Sequence, residues 1–317
     1  MSHFVQQQHT VNAFASSDSW VILSPIEQSI KQKIEAVGVP LKDWDINIYR
    51  GVLTGCNEAF IINTDKRNEI LANCKDETER KRTEELIRPI LRGRDIKRYG
   101  YEWAGLYLIA TFPARHYDIE RYPAVKEYLL SFAEDYLRKN GCEWVVNDHL
   151  ADFCEQKLSQ TGKYIVINGK ELTINGKKEK ARKKTSNKWF ETQDSISYWD
   201  LFFQPHICWK AVGRKLAFAI VDGGIFLTAP ASFISAGENN EQIIEFLCSK
   251  VGTYFIYENS DTTGAGDIML NIQSLVKFPI PKLTNFIKHS NNAEVDKFVY
   301  RTYGFTEEEI SHIESKV

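Results

Sequence analysis

A chain of 317 residues with 43% apolar side chains can fill one large core or two smaller ones, which excludes a disordered chain. Forty basic against forty-two acidic residues leave a net charge of −2, so no global positive field draws the molecule to polyanions, and any nucleic-acid site must be a local patch. The six cysteines are scattered without a C-x-x-C pair, the start of the chain has no basic stretch followed by an apolar run, and no stretch approaches 18 uninterrupted apolar residues, so the expectation is a cytoplasmic protein with free thiols.

In chain order, residues 20–23 (WVIL) read as a short strand, after which Ser24-Pro25 opens a helix with Ile26, Ile30, Ile34 and Val37 on one stripe, closed by Gly38 and Pro40. Residues 44–49 alternate as a strand and run through Arg50-Gly51-Val52-Leu53-Thr54-Gly55 into a second strand at 59–62. Two glycines four apart suggest phosphate cradling. A Walker loop, however, continues with Gly-Lys-Ser/Thr, and this chain has Gly55-Cys56-Asn57, so a nucleotide P-loop is excluded.

Residues 76–91 read as a charged helix whose apolar face includes Leu86, Ile87, Ile90 and Leu91, with Gly93 free to take positive φ just past its end. Arg92, Arg94, Lys97 and Arg98 then sit in a turn suited to phosphate; the bland alternative is a solvated helix end in which Arg94 pairs with Asp95. Residues 106–112 (LYLIATF) predict a buried strand, and Pro123 opens an amphipathic helix with Val125, Leu129, Phe132, Tyr136 and Leu137 facing the core. Around Asn168-Gly169 and Asn175-Gly176 the pattern predicts one or two hairpins.

Residues 177–194 form the most basic run, with Arg182, Lys183, Lys184 and Lys188 ahead of Trp189; a solvated face is the alternative to nucleic-acid contact. Beyond it, 195–203 reads as an aromatic helix, 207–212, 216–221 and 225–228 as strands of one antiparallel sheet, 241–257 as one long helix, and 275–280 as a strand. Two short helices at 291–303 and 306–317 finish the chain, the second with a Thr306/Glu309 capping box.

The chemistry of an enzyme is missing from these patterns. No glycine-rich cofactor loop joins an Asn/Asp-Pro-Pro-Tyr/Phe motif, and Asn187-Lys188-Trp189-Phe190 matches only the outer positions. Asp76 with Glu79-Arg80-Lys81 carries the residue types of a metal nuclease but lies within one helix, where such triplets are ordinary surface charge. No histidine pair has ligand spacing, and His206 reads as a strand end.

Taken together, RGVLTGCNEAFII, LIRPILRGRDIKRY, the Tyr122-Pro123-Ala124-Val125-Lys126 helix start, NKWFETQD and FPIP resemble, in the same order, the C-terminal target-recognition region of type IIG restriction-modification enzymes, the TaqI-like specificity domain. The chain departs from that pattern at His206, where the family has a lysine. The resemblance implies an α+β fold of mixed and antiparallel sheets with flanking helices, similar to specificity subunits of restriction systems. It also implies three parts: a strand and connecting helix over 1–45, the recognition domain over 46–281, and terminal helices over 282–317. The implied function is sequence-specific recognition of double-stranded DNA for a bifunctional endonuclease and N6-adenine methyltransferase. S-adenosylmethionine and Mg would belong to the methyltransferase and nuclease domains of the parent polypeptide, and this chain alone would have no catalytic residues, cofactor or metal. The expected DNA-contacting residues are Arg50, Thr54, Arg92, Arg94, Lys97, Arg98, Arg182, Lys183, Lys184, Lys188 and Trp189. A protein-interaction scaffold with a merely solvated basic run is the competing expectation.

Overall fold

A computed structural model describes residues 23–139, 160–162, 165–167, 170–174, 177–178, 181–184 and 187–317. Its fold is α+β, organised by two four-stranded sheets. The strands in chain order are β1 (Asn47–Arg50), β2 (Ile61–Asn63), β3 (Ile87–Leu91), β4 (Leu106–Ile109), β5 (His206–Trp209), β6 (Phe218–Val221), β7 (Phe226–Leu227) and β8 (Ser232–Ser235). The first sheet has the order β6-β5-β8-β1 and is antiparallel throughout. The second has the order β7-β3-β4-β2, with a parallel β7/β3 pair.

The first sheet divides two cores, and the period-2 alternation of its strands shows how. Ile207 and Trp209 of β5, Phe218 of β6 and Ile234 of β8 face one core, while Cys208, Ala219, Val221 and Phe233 face the other. Both faces are covered, which is why ICW and FAIV are apolar without interruption. The first core is closed by helices α1 (Pro25–Val37), α5 (Asn240–Cys248), α6 (Lys250–Asn259), α7 (Asn292–Tyr303) and α8 (Glu307–Lys316). Around the second sheet lie α2 (Thr64–Ala72), α3 (Glu77–Leu86) and α4 (Pro123–Lys139), with Val125 and Leu129 of α4 buried there as its stripe requires. The Tyr136 and Leu137 side chains lie outside the described residues. No helix among the described residues is long and apolar enough to cross a membrane.

Local signals account for several boundaries. Ser24 and Glu27 form a capping box at α1, as Thr306 and Glu309 do at α8. Ile167 pairs with Lys170 and Ile174 with Lys177, so two-residue connections at both Asn-Gly dipeptides join antiparallel strands. The basic strand Ala181–Lys184 pairs with Gln160–Gly162. The strand expected at 20–23 lies, apart from Leu23, outside the described residues.

Other expectations fail for physical reasons. The helix expected over 76–91 ends at Leu86, and Ile87–Leu91 is an interior strand of the second sheet. Pro89 has no N–H to continue a helix and keeps Arg88 extended, and the run is buried from two sides. The expected strand at 59–62 is a helical turn, Asn57–Phe60, followed by β2. Gly93 starts a 3-10 turn, Gly93–Asp95, and does not take positive φ; the left-handed residue of this segment is Tyr99, φ 63°, whose N–H donates to the Phe218 carbonyl at 2.7 Å. β7 leaves the antiparallel sheet expected for 225–228 and pairs in parallel with β3. The long helix expected at 241–257 breaks at Ser249, whose hydroxyl caps α6 by accepting from Gly252 N at 3.0 Å. Over 195–203 only Trp199–Phe203 is helical, as a 3-10 turn, and 275–280 is the end of a helical turn followed by a two-residue strand.

Candidate nucleic-acid interface

Strand polarity carries several basic segments to one edge. β7 and β3 run parallel, Thr228 N–H donates to Leu91 O at 2.9 Å, and Val52 forms a parallel bridge to Thr228. Residues 52, 228 and 91 therefore leave side by side in one direction, which sets Leu53 and Arg92 about two strand spacings, ~10 Å, apart. In the first sheet Arg50 pairs with Ser232, and Ser232 with Trp209, so β1 and β5 are co-directional and Arg50 and Lys210 emerge together. Lys210 in turn packs on Gly93, where a Cβ would lie 3.3 Å from its own Cβ. Gly51 serves this close packing: a Cβ there would meet Leu227 O and the Thr228 carbonyl carbon at 2.6 Å. Its absent side chain admits a neighbouring strand, so the glycine loop is not a phosphate cradle.

The cations at this edge fall into distinct settings. Arg50 is exposed, with Nη2 at 3.2 and 3.3 Å from the two carboxylate oxygens of Asp194. Arg92 is half-buried and clamped by Asp95, which accepts from its Nε at 3.0 Å, its Nη2 at 2.8 Å and its backbone N at 2.8 Å. Burial pushes the Asp95 carboxyl up, but those bonds and the Arg92 charge outweigh it and hold the group below its usual value. Arg94 is exposed, and no ion pair holds its guanidinium among the described residues. Lys97 lies 3.4 Å from Glu102 and is exposed. The Arg98 guanidinium donates to the Cys248 carbonyl, at the C-terminal end of α5, where a cation meets the negative end of the helix dipole. Lys210, Arg214 and Lys215 were not among the sequence candidates; Arg214 reaches Asp267 at 3.7 Å, and the two lysines have no ion pair among the described residues.

A second group of loops packs against Arg50. Residues 187–199 dock on 50–54 and on 111–116: Gln193 N–H donates to Thr54 O at 3.1 Å, Asp194 N–H to Leu53 O at 3.2 Å, Thr192 N–H to Thr111 O at 3.0 Å and Ala114 N–H to Ser195 O at 3.4 Å. Asn187 donates from Nδ2 to Thr192 O and Gln193 O at 2.8 and 3.0 Å. Thr54 is buried; its hydroxyl donates to Asn57 Oδ1 at 2.7 Å and accepts from Cys56 N at 3.2 Å, so it shapes this loop from inside. Lys188 is exposed above the Phe190 ring, whereas Trp189 is half-buried and packs edge-on to Phe190 against the core. Arg115, which sequence reasoning passed over, lies 4.0 Å over Trp199 and is exposed. His116 and Ile196, at φ 50° and 51°, hold left-handed backbone on either side of the Ala114–Ser195 contact; for the β-branched Ile196 that conformation is strained. The strand carrying Arg182, Lys183 and Lys184 is described in its backbone only, so the placing of those three side chains lies outside the described residues.

His206 is fully buried with Nδ1 donating to Gln204 O at 2.8 Å, and burial lowers its pKa, so it sits neutral in the core and not on a phosphate. The Asp76/Glu79 pair is structural as well: Asp76 caps α3, and the buried Glu79 accepts from Lys75 N and Ala124 N at 2.9 and 3.0 Å. Among the described residues no group of three or more His, Cys, Asp or Glu is placed to hold a metal ion.

No family model and no curated protein sequence matches the chain. Among solved structures it is similar to the type IIG restriction endonuclease BpuSI, with 12% identity and a TM-score of 0.44 over 88% of this chain and 28% of that one. It is similar also to the type IIL restriction-modification enzyme MmeI, solved in complex with DNA, with 11% identity and a TM-score of 0.47 over 87% and 36%. The chain thus spans about a third of the length of these structures.

Proposed function

We propose that this chain binds double-stranded DNA and selects its sequence, as the specificity region of a restriction endonuclease and N6-adenine methyltransferase. The observation that carries the reading is the convergence of separate chain segments on one edge, where Arg94, Lys210 and Lys215 stand without ion pairs among the described residues and Arg115 and Lys188 lie on the adjoining loops. Such cations attract phosphate and position a duplex without reading it. The ordered motifs quoted above support the restriction-modification setting. The interface itself does not fit S-adenosylmethionine or Mg: its carboxylates Asp95 and Asp194 are each committed to an arginine, and Gly51 packs on backbone. On this proposal methyl transfer and cleavage would fall to other domains of a parent polypeptide.

Counting Arg94, Arg115, Lys188, Lys210 and Lys215, which have no ion pair among the described residues, as phosphate contacts, the log-log salt slope should be about −4 to −5, from roughly 0.9 per contact. Titration of the full chain against a labelled random duplex from 50 to 300 mM salt measures it. No binding at ~50 mM salt, or a slope near zero, overturns the reading in favour of a protein-interaction scaffold.

A further inference from the structure

We infer that Arg50 reads the edge of a guanine, and that Asp194 positions it for that role and suppresses its attraction for phosphate. The inference rests on the DNA-binding reading above. Both ends of the arginine are fixed. Its carbonyl accepts from Tyr198 Oη at 3.0 Å, and the Tyr198 ring stacks on Tyr49 with centroids 4.1 Å apart and planes 9° apart. Its Nη2 meets both oxygens of Asp194, whose side chain is only 14% exposed and which also accepts from Leu53 N at 3.2 Å. Yet the arginine side chain remains 56% exposed and borders an open cavity of about 300 Å³ with Ser195 and Ser197. Hydrogens on Nε and Nη1 make no hydrogen bond among the described residues, and the two oxygens of one carboxylate subtend so narrow an angle at Nη2 that a single, shared hydrogen can serve both and leave its second for a ligand. These are enough for the paired donation that guanine O6 and N7 accept.

Charge decides between a base and a phosphate. A phosphate approaching this guanidinium also approaches the Asp194 carboxylate, so the attraction is largely cancelled, whereas O6 and N7 carry only partial negative charge and meet a much weaker repulsion. The other interface arginines lack this combination; Arg214 stands 3.7 Å from Asp267, beyond hydrogen-bond reach, and so is not held in place by it. Arg92 gives Nε and Nη2 to Asp95, Arg98 is bound to a helix end, and Arg94 has no ion pair to hold it among the described residues. Arg115 lies on Trp199 with no ion pair among the described residues, a setting for phosphate.

The test is selection of enriched duplexes from a random pool by the full chain and by Arg50→Gln and Asp194→Asn, followed by affinity and salt series on the enriched and random duplexes. The wild-type motif should contain a G·C pair at which 7-deazaguanine, lacking N7, weakens binding roughly tenfold. Arg50→Gln should lose preference at that pair with the salt slope unchanged. Asp194→Asn keeps an acceptor for Leu53 N, and it should bind random duplex more tightly, with the slope steeper by about 1 and the motif blurred. Melting curves establish that both variants are folded. A motif unchanged in Arg50→Gln, or a slope flattened by about 1, overturns the inference while leaving DNA binding intact. A wild-type chain that shows no salt-dependent binding overturns the functional reading itself, and the inference with it.

Discussion

Glu309 ties the two ends of the described chain together, and its replacement by glutamine should separate a charge effect from a shape effect. Its carboxylate is buried at the start of α8 and accepts from Ser29 Oγ and Lys33 Nζ of α1 at 2.7 Å each and from Thr306 N at 2.7 Å. Burial pushes its pKa up, but the bonds from Lys33, Ser29 and Thr306 and the Lys33 charge outweigh it and bring it from 4.5 to about 2. A group with a depressed folded pKa contributes stability that is complete above the unfolded value and lost as pH falls through the folded one. A lowering of about 2.5 pH units at 1.36 kcal/mol each corresponds to ~3 kcal/mol at pH 7, of which under half remains at about pH 3. With about 2.1 cal/mol/K per residue, unfolding of a chain of this length has an entropy near 0.7 kcal/mol/K, so Glu309→Gln should lower Tm by ~4–5 °C at pH 7. Calorimetric or circular-dichroism melts at pH 7, 5 and 3 read the difference, which should shrink by more than half across the series. An equal Tm at pH 7, or a deficit as large at pH 3 as at pH 7, would refute the assignment of that stability to the charged Lys33–Glu309 contact.

Replacing Lys210 and Lys215 together by alanine should flatten the salt slope by about 2 and weaken cognate and random duplexes alike, as filter binding at several salt concentrations would show. Asp95→Ala should cost about 1–3 kcal/mol in urea unfolding, below the cost of breaking a fully buried pair because water reaches Arg92, whose side chain is 28% exposed. The same variant frees a cation, so its salt slope should steepen by up to about 1. Gly51→Ala forces a Cβ onto the backbone of residues 227 and 228, neither of which is a flexible side chain, and should lower stability by about 1–3 kcal/mol in the same assay.

Much of the fold is legible where a local chemical signal is self-sufficient. The Ser24/Glu27 and Thr306/Glu309 boxes each place complementary donors and acceptors three residues apart, and the Asn-Gly dipeptides supply backbone that few other pairs tolerate. Periodicity alone is ambiguous when both faces are buried. Ile87, Ile90 and Leu91 satisfy a helical stripe, yet they lie in an interior strand, and Pro89 was the residue that argued for it. Ser249 carries the break in 241–257 through one hydroxyl, with no apolar interruption to announce it. Lys210 is separated from the other basic runs in the chain, so only the co-directional exit of β1 and β5 brings it to the same edge as Arg50, one strand removed.

The same limit applies to charge. Counting basic residues ranks Arg92 with Arg94 and Arg50 with Lys188, but their acidic neighbours divide them: Asp95 lies three positions from Arg92, whereas Asp194 lies 144 positions from Arg50. A carboxylate that takes two nitrogens of an arginine and its backbone N–H builds a turn. One that takes a single nitrogen and leaves the rest of the guanidinium in solvent builds a neutralised donor. A chain with net charge −2 can therefore present a cationic edge, and on the function proposed above its acids divide the cations by role: structural at Arg92, selective at Arg50, attractive at Lys210. On this division specificity and affinity reside in different residues, which is why changes at Arg50 should alter the preferred sequence and changes at Lys210 and Lys215 only the strength of binding.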